Sequence, residues 1–336
     1  MSSTPTPHEI ARDARWLIQA LDPGTDVVRM VAMSREAYRG ASFLDDRMLQ
    51  LPVDACLVPW RTVAEATQLI RRRDSRWIFH LGHVGSTLVA RLLGELPGVL
   101  SVREPRFLRD VAAMAAGDRA DKTSASQVLF SRTFDADDVA LVKATSFVSE
   151  IASELVPPEG RAILMYATPR NYVGSILAGE NSVQELRMLA GSRTQRLARR
   201  EIAFSAPRHD ADLAAAAWAC EMSSLEAAAQ TMVDRRVGWL DFDRFLQEPE
   251  NALGRSAELL GFPASVDQLN AVANSPLMTR YSKAVEYEYS PALRRDLIAD
   301  ATRRHRSDID DALAMLNRAA ERSPSLARAI ERAGEL

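Results

Sequence analysis

Cysteine, aromatic residues and lysine are all scarce in this 336-residue chain. Aromatic side chains make up 6% of the residues, and the two cysteines, Cys56 and Cys220, lie too far apart to match a metal-binding spacing. A disulfide scaffold is therefore excluded, no metal is predicted, and we expect a reducing compartment, the cytoplasm. Lysine accounts for three of the 42 basic residues, which are Lys122, Lys143 and Lys283.

Neither sign of charge dominates, and no apolar run is long enough to span a membrane. The net charge is −3 with acids and bases interspersed, which excludes a general electrostatic surface for nucleic acid or for an anionic membrane. An anion site must therefore be local. The start of the chain, Met1 to Glu9, is polar and lacks the basic and apolar segments of a secretory signal.

Short apolar runs alternate with helical patterns, which predicts an α/β fold with a central parallel sheet covered by helices. Before the predicted sheet, Pro7 to Leu21 is typical of a helix, and Val27 to Gln50 favours neither type of element but is placed to cap an edge of the sheet. The predicted strands are Asp54 to Pro59, Trp77 to Leu81, Val99 to Val102, Ala140 to Lys143, Ala162 to Tyr166 and Val237 to Leu240.

A long helical insertion lies between the last two predicted strands, where it is placed to form a lid or a substrate wall. Its helical patterns run around Pro169 to Ala178, Ser182 to Ile202 and Asp210 to Val233. From Ser290 to Leu336 the spacing predicts further amphipathic helices. No repeat or linker divides the chain, so we expect a single domain with an N-terminal extension (1–75), a core (76–263) and a C-terminal helical segment (264–336).

The most informative segment is Gly82-His83-Val84-Gly85-Ser86-Thr87, which we call the glycine loop. It follows an apolar strand and precedes an apolar helical face, so its glycines allow a sharp turn that directs backbone N–H groups and two hydroxyls at an anion. A glycine turn with a Ser/Thr helix cap is the structural alternative. The loop is shorter than a Walker A motif and has no lysine before its hydroxyl residues, which disfavours an ordinary ATPase or GTPase.

Four segments in order resemble the sulfotransferase family, α/β enzymes with a P-loop-like fold that move a sulfuryl group from 3′-phosphoadenosine 5′-phosphosulfate (PAPS) to a hydroxyl or amine. The glycine loop is similar to the family's 5′-phosphosulfate loop, and the stretch ending in Arg103-Glu104-Pro105 to its bacterial continuation. The segment from Tyr166 to Ser175 is similar to the 3′-phosphate segment, and 240–263 to the late signature. The resemblance implies a three-layer P-loop-like fold with a central parallel sheet and a helical insertion.

The resemblance also implies roles for particular residues. Glu104 would be the base, and Lys143 and His83 would stabilise the transferring group. His83 stands where the family has a lysine or arginine, and Ala167 stands where it has the first arginine of the 3′-phosphate segment. The residues expected to bind PAPS, the cosubstrate, are Gly82, His83, Gly85, Ser86, Thr87, Arg170, Ser175, Arg280 and Lys283.

Three functions remain open at this level. The first is a sulfotransferase that uses PAPS without a metal and acts on a small-molecule, peptide or glycan acceptor. The second is a sulfotransferase-like nucleotide-binding or scaffold protein without transfer activity, which His83 and Ala167 favour. The third is a small-molecule phosphotransferase that binds ATP in the glycine loop. The structural alternative for Glu104 is a surface or ion-paired residue at a strand end, and for the pair Arg280 and Lys283 it is a solvated loop.

Overall fold

The strands form two separate sheets. A computed structural model describes residues 4–280 and 290–334. In this part of the chain, three strands form an antiparallel sheet in the order β1-β2-β3, and five form a second sheet in the order β5-β6-β4-β7-β8. The strands are β1 (Trp16–Asp22), β2 (Val27–Ala32), β3 (Ala55–Pro59), β4 (Arg76–His80), β5 (Val99–Arg103), β6 (Val139–Lys143), β7 (Arg161–Tyr166) and β8 (Arg236–Asp241).

The five-stranded sheet is parallel throughout, and β4 lies at its centre. Its inner strands are covered on both faces, so they appear in the sequence as unbroken apolar runs rather than as alternating patterns. Trp77, Ile78 and Phe79 of β4, for example, are fully buried. The predicted α/β fold with a central parallel sheet is confirmed, and because all carboxyl ends lie at one edge, the loops after these strands meet there.

Helices cover both faces of the parallel sheet. They are α1 (Pro7–Arg12), α2 (Arg35–Gly40), α3 (Trp60–Thr67), α4 (Ser86–Leu93), α5 (Arg106–Ala113), α6 (Ala116–Leu129), α7 (Ala152–Leu155), α8 (Pro169–Leu177), α9 (Glu180–Arg199), α10 (Asp210–Thr231), α11 (Phe242–Gln247), α12 (Pro249–Leu260), α13 (Val266–Ala273), α14 (Pro291–Arg304), α15 (Arg306–Ala320) and α16 (Pro324–Ala333). Within residues 4–280 and 290–334, three short 3-10 helices span Asp46–Gln50, Ser146–Ile151 and Pro276–Thr279.

Two predictions for the N-terminal part are wrong. The segment expected to be one helix from Pro7 to Leu21 is helical only in α1 and then forms β1, which pairs with β2. Leu17, Ile18 and Leu21 match a helical period, but pairing with β2 buries them in a strand, so long-range pairing overrides the local pattern. The strand predicted from Asp54 to Pro59 exists as β3, but it belongs to the antiparallel sheet.

The segment of ambiguous pattern, 27–50, forms β2, α2 and a 3-10 helix. Between α2 and the 3-10 helix, the chain crosses the end of β5. The Leu44 N–H donates to the Arg103 carbonyl at 2.8 Å, and the Arg106 N–H donates to the Leu44 carbonyl at 3.3 Å. This crossing carries Phe43, Asp45 and Arg47 to the carboxyl edge of the sheet.

The predicted helical insertion is present as α8, α9 and α10. The last of these is largely buried, and its Trp218 indole N–H donates to the Ala167 carbonyl at the end of β7 at 2.9 Å. Helices α15 and α16 of the C-terminal segment pack against α10. Across 4–280 and 290–334, no helix has the length and apolar character needed to cross a membrane.

Candidate active site

A cleft of about 900 Å³ opens at the carboxyl edge of the parallel sheet, a size typical of small-molecule sites. Its floor is formed by the glycine loop and by the residues that end β5 and β6, and its walls come from the 43–47 crossing, α5, α8, α9 and α14. The side chains that line it and bear on the chemistry are His80, His83, Ser86, Thr87, Glu104, Lys143, Ser175, Arg193, Arg196, Glu221, Phe242 and Arg294.

The glycine loop has a left-handed backbone at three positions. The φ angles are +83° at Gly82, +53° at His83 and +60° at Gly85, the residue before α4. No side chain caps α4, so the N–H groups of its first turn have no side-chain partner and converge on the cleft. Ser86 and Thr87 are buried in this first turn and line the cleft. This arrangement suits a phosphate- or sulfate-sized anion.

Gly85 is required for a second reason. A Cβ built on it would lie 1.9 Å from the ring of Phe242, which follows β8 and is buried. The α-carbon of Gly85 therefore packs directly on an aromatic face. The loop thus depends on a residue that is 157 positions away along the chain, and this contact was not evident from the local motif.

His80, at the end of β4, holds the loop in place from below. Its Nδ1 accepts the Gly82 N–H at 2.9 Å, and its Nε2 lies 2.8 Å from the Ala144 carbonyl, which can only accept. The two contacts together assign the proton to Nε2 and leave Nδ1 as the acceptor. His80 is therefore a neutral positioning residue that joins the glycine loop to the end of β6.

Glu104 and Lys143 meet at the ends of the adjacent strands β5 and β6. The Lys143 ammonium donates to Oε1 of Glu104 and to the Thr87 hydroxyl, the latter at 3.2 Å. The Lys143 side chain is 1% exposed and that of Glu104 is 12% exposed. Oε2 of Glu104 has no hydrogen-bond partner among the described residues, which leaves it available to an incoming hydroxyl. Glu104 also has a left-handed backbone, with a φ of +53°, a strained conformation that is typical of functional sites.

His83 lies under the start of α9. Its Nε2 is 3.5 Å from a carboxylate oxygen of Glu185, and its Nδ1 is 3.5 Å from the Ser182 hydroxyl. Its side chain is 14% exposed and lines the cleft. The helical insertion therefore lies directly above the glycine loop, as a lid or wall would.

The predicted PAPS-binding residues do not all lie together. Gly82, Gly85, Ser86, Thr87 and Ser175 line the cleft with His83. Arg170 does not, because its guanidinium pairs with Asp310 of α15 at 2.9 Å on the outer surface. Arg280 is exposed and lines a different cavity, of about 460 Å³, next to Arg91 and Glu95. Lys283 lies outside the described residues.

Arg294 is a cleft residue that the sequence analysis missed. It comes from α14, pairs with the Asp243 carboxylate, and lies 5.0 Å above the centre of the Phe242 ring. Its side chain is 12% exposed, and its buried Nη2 has no hydrogen-bond partner in the described part of the chain. An unsatisfied buried guanidinium nitrogen is costly, so it favours an anionic ligand nearby. Only the predicted helical pattern after Ser290 hinted at this region.

No protein-family model and no curated protein sequence matches the chain. Similar solved structures include the sulfotransferase domain from the curacin biosynthetic pathway, which is 13% identical over 67% of this chain and 87% of its own, with a TM-score of 0.41. The sulfotransferase domain of the Synechococcus PCC 7002 olefin synthase is 13% identical, over 67% of this chain and 86% of its own, with a TM-score of 0.42.

Another similar structure is the mouse sulfotransferase SULT7A1 in complex with PAP, which is 9% identical over 80% of this chain and 93% of its own, with a TM-score of 0.41. All three structures are described as sulfotransferases, the family that the sequence motifs resemble.

Proposed function

We propose that this protein is a sulfotransferase that uses PAPS. The observation that carries the proposal is the uncapped start of α4 beside a buried lysine and a carboxylate with one unbonded oxygen, at the ends of three adjacent parallel strands. The loop supplies N–H donors for a phosphosulfate, the lysine supplies positive charge, and the carboxylate supplies a base. In-line transfer of a sulfuryl group to a hydroxyl needs these three functions.

The strand order supports binding of the two substrates on opposite sides of the glycine loop. Glu104 and Lys143 end β5 and β6 on one side of β4, so the acceptor hydroxyl belongs there. Ser175 follows β7 and Phe242 follows β8 on the other side, where Arg294 also lies. The nucleotide of PAPS fits this second side, which offers an aromatic ring, a hydroxyl and a guanidinium. Gly85 allows the close approach of the glycine loop to Phe242 on this second side.

In the transfer step, Oε2 of Glu104 takes the proton of the acceptor hydroxyl while the oxygen of that hydroxyl forms a bond to sulfur. The bond between sulfur and the bridging oxygen breaks, and its electron pair stays on that oxygen, which leaves with 3′-phosphoadenosine 5′-phosphate (PAP). Lys143 and the N–H groups at the start of α4 neutralise the charge that develops on this oxygen. His83, within the glycine loop, donates to a terminal sulfuryl oxygen.

The proposal predicts that the protein binds PAP and does not bind ATP. Isothermal titration calorimetry of both nucleotides against the same preparation measures this directly. PAP should bind with micromolar affinity or better, and PAPS labelled in its sulfuryl group should transfer the label to an acceptor in a screen of phenols, alcohols, peptides and glycans.

Other results of this titration would favour the alternatives. Binding of ATP in preference to PAP would contradict the proposal and favour a phosphotransferase. Absence of binding to either nucleotide would leave a scaffold protein. Tight binding of PAP without label transfer to any acceptor would favour a nucleotide-binding protein without activity.

A second prediction separates two arginines. Arg294→Gln removes a guanidinium that lines the cleft and should weaken PAP binding by about tenfold, the effect of losing one hydrogen bond to a charged group. Arg170→Gln removes one that pairs with Asp310 outside the cleft, so it should leave PAP affinity unchanged. Calorimetry on both variants is the measurement. The reverse result would place the phosphate at Arg170, where the family resemblance puts it.

A further inference from the structure

A buried group of charged residues lies behind the cleft, between α9 and α10. Both oxygens of Glu221 accept from Arg196, at 2.8 and 2.7 Å, and Oε1 also accepts from Nε of Arg193 at 3.3 Å. Glu150 accepts from Nε of Arg196 at 2.6 Å, from Arg200 and from the Ser224 hydroxyl. Burial opposes the ionised form of Glu150, but the two arginines outweigh it and lower the pKa of this carboxyl.

This group carries more positive than negative charge. Three guanidinium groups face two carboxylates, and Arg193 is the member whose charge is least compensated. Its single bond is the one from Nε; in the parts of the chain that the structure describes, neither terminal nitrogen of Arg193 has a hydrogen-bond partner. Its side chain is 7% exposed, yet it lines the cleft. Burial opposes the charged form of Arg193, but the nearby Tyr172 and Glu221 outweigh it and raise the pKa of the guanidinium, so an anionic group in the cleft would meet a cation whose two terminal nitrogens can donate to it.

The position of the group links it to the acceptor side of the cleft. The Arg196 guanidinium lies 5.3 Å from the centre of the Phe147 ring. Phe147 lies on the 3-10 helix Ser146–Ile151, just after the strand that ends in Lys143, and it also lines the cleft. Arg193 is linked to the side that carries the proposed base through Glu221, which it shares with Arg196. Ser175 and Phe242, on the proposed nucleotide side, follow other strands.

We propose that Arg193 binds an anionic group of the acceptor, so that the acceptor is a hydroxyl or amine compound that also bears a carboxylate, phosphate or sulfate. This proposal rests on the proposed function, which defines the acceptor side. The two terminal nitrogens of a guanidinium match the two oxygens of such a group. The Phe147 ring, which packs on Arg196 and also lines the cleft, offers an apolar surface to the body of the same molecule.

The test uses benzoate and phenyl phosphate as anionic probes and benzamide as a neutral probe of similar shape. Each is titrated into the full-length protein saturated with PAP, which fills the nucleotide side. The anionic probes should bind at least about tenfold more tightly than benzamide, and Arg193→Gln should abolish this preference. Arg200 belongs to the same buried group but does not line the cleft. The Arg200→Gln variant should therefore keep the preference for anionic probes.

Three results would overturn the proposal. The first is equal binding of all probes to the unaltered protein, and the second is an anion preference that survives Arg193→Gln. The third is an Arg193→Gln variant that binds PAP more weakly but binds adenosine 5′-phosphate as tightly as before. That result would assign Arg193 to the 3′-phosphate. If PAP does not bind at all, the proposed function fails, while the same titrations of the nucleotide-free protein still report whether Arg193 binds anions.

Discussion

Lys143→Ala should lower the rate of sulfuryl transfer by about 10²- to 10³-fold, the usual cost of losing one donor that stabilises transition-state charge. Lys143 donates both to Thr87 in the first turn of α4 and to Glu104, and its side chain is almost wholly buried. Because this position is buried, a cation from the solvent does not easily replace the lost ammonium group. The measurement is single-turnover transfer from labelled PAPS.

The matched control is Lys122→Ala. Lys122 is also largely buried and also paired, with Asp26 and Asp121 at 3.2 Å, but it lies outside the cleft. We expect this variant to keep full turnover. Because removal of Lys143 leaves Glu104 without its cation, the stability of both variants is measured by urea unfolding, and a folded Lys143→Ala protein with unchanged turnover would refute the role of Lys143.

Glu104→Gln complements this result, since it keeps the shape of the side chain and removes the base. Loss of a general base typically slows a reaction by about 10²- to 10⁴-fold. The ionic partners of the Glu104 carboxylate are Lys143 and His80, neither of which belongs to the proposed nucleotide side, so PAP affinity should not change. A variant that turns over normally would show that Oε2 of Glu104 does not accept the proton.

Gly85→Ala should destabilise the fold and abolish PAP binding. An alanine in a left-handed conformation costs about 1–2 kcal/mol, and its Cβ would overlap the Phe242 ring, at about 1–3 kcal/mol more for overpacking. A loss of about 2–5 kcal/mol is a large part of the stability of a typical domain. Urea unfolding measures the loss, and calorimetry with PAP measures the binding.

Two further variants identify the cause. Gly191→Ala, in the middle of α9 with no atom within 4 Å of the added Cβ, should be neutral or stabilising by about 0.5–1 kcal/mol. Adding Phe242→Ala to Gly85→Ala should restore part of the lost stability if the ring causes the clash. If the loss of stability in the double variant equals or exceeds the sum of the two single losses, contact with Phe242 is not the reason.

Much of the fold was predictable because its signals are local. The inner strands of the parallel sheet are buried runs of apolar residues, β8 at its edge is a half-buried run, and the three helices of the insertion follow helical patterns. The glycine loop was also evident, since a turn between a strand and a helix needs glycine at defined positions. His83, Ser175 and the pair Glu104 and Lys143 were found as candidates and do line one cleft.

The structure differs from the sequence-based predictions where contacts between distant residues decide the conformation or the position of a side chain. β1 was expected to be helical because its apolar residues also fit a helical period, and only pairing with β2 makes it a strand. Phosphate binding by Arg170 stays a prediction, but the pairing of its side chain with Asp310, 140 positions later, could not be foreseen from the local sequence. Nothing near Arg294 in the sequence indicated that it covers Phe242.

The sequence alone therefore determined the type of sheet and the place of the glycine loop, because burial and backbone turns leave a pattern within a few residues. Only the tertiary structure decided which strands are neighbours, which side of the loop carries Glu104 and Lys143, and which arginines enter the cleft. These depend on contacts between residues up to more than a hundred positions apart. Such contacts leave no local pattern, since the same arginine is equally suited to a surface ion pair and to a ligand.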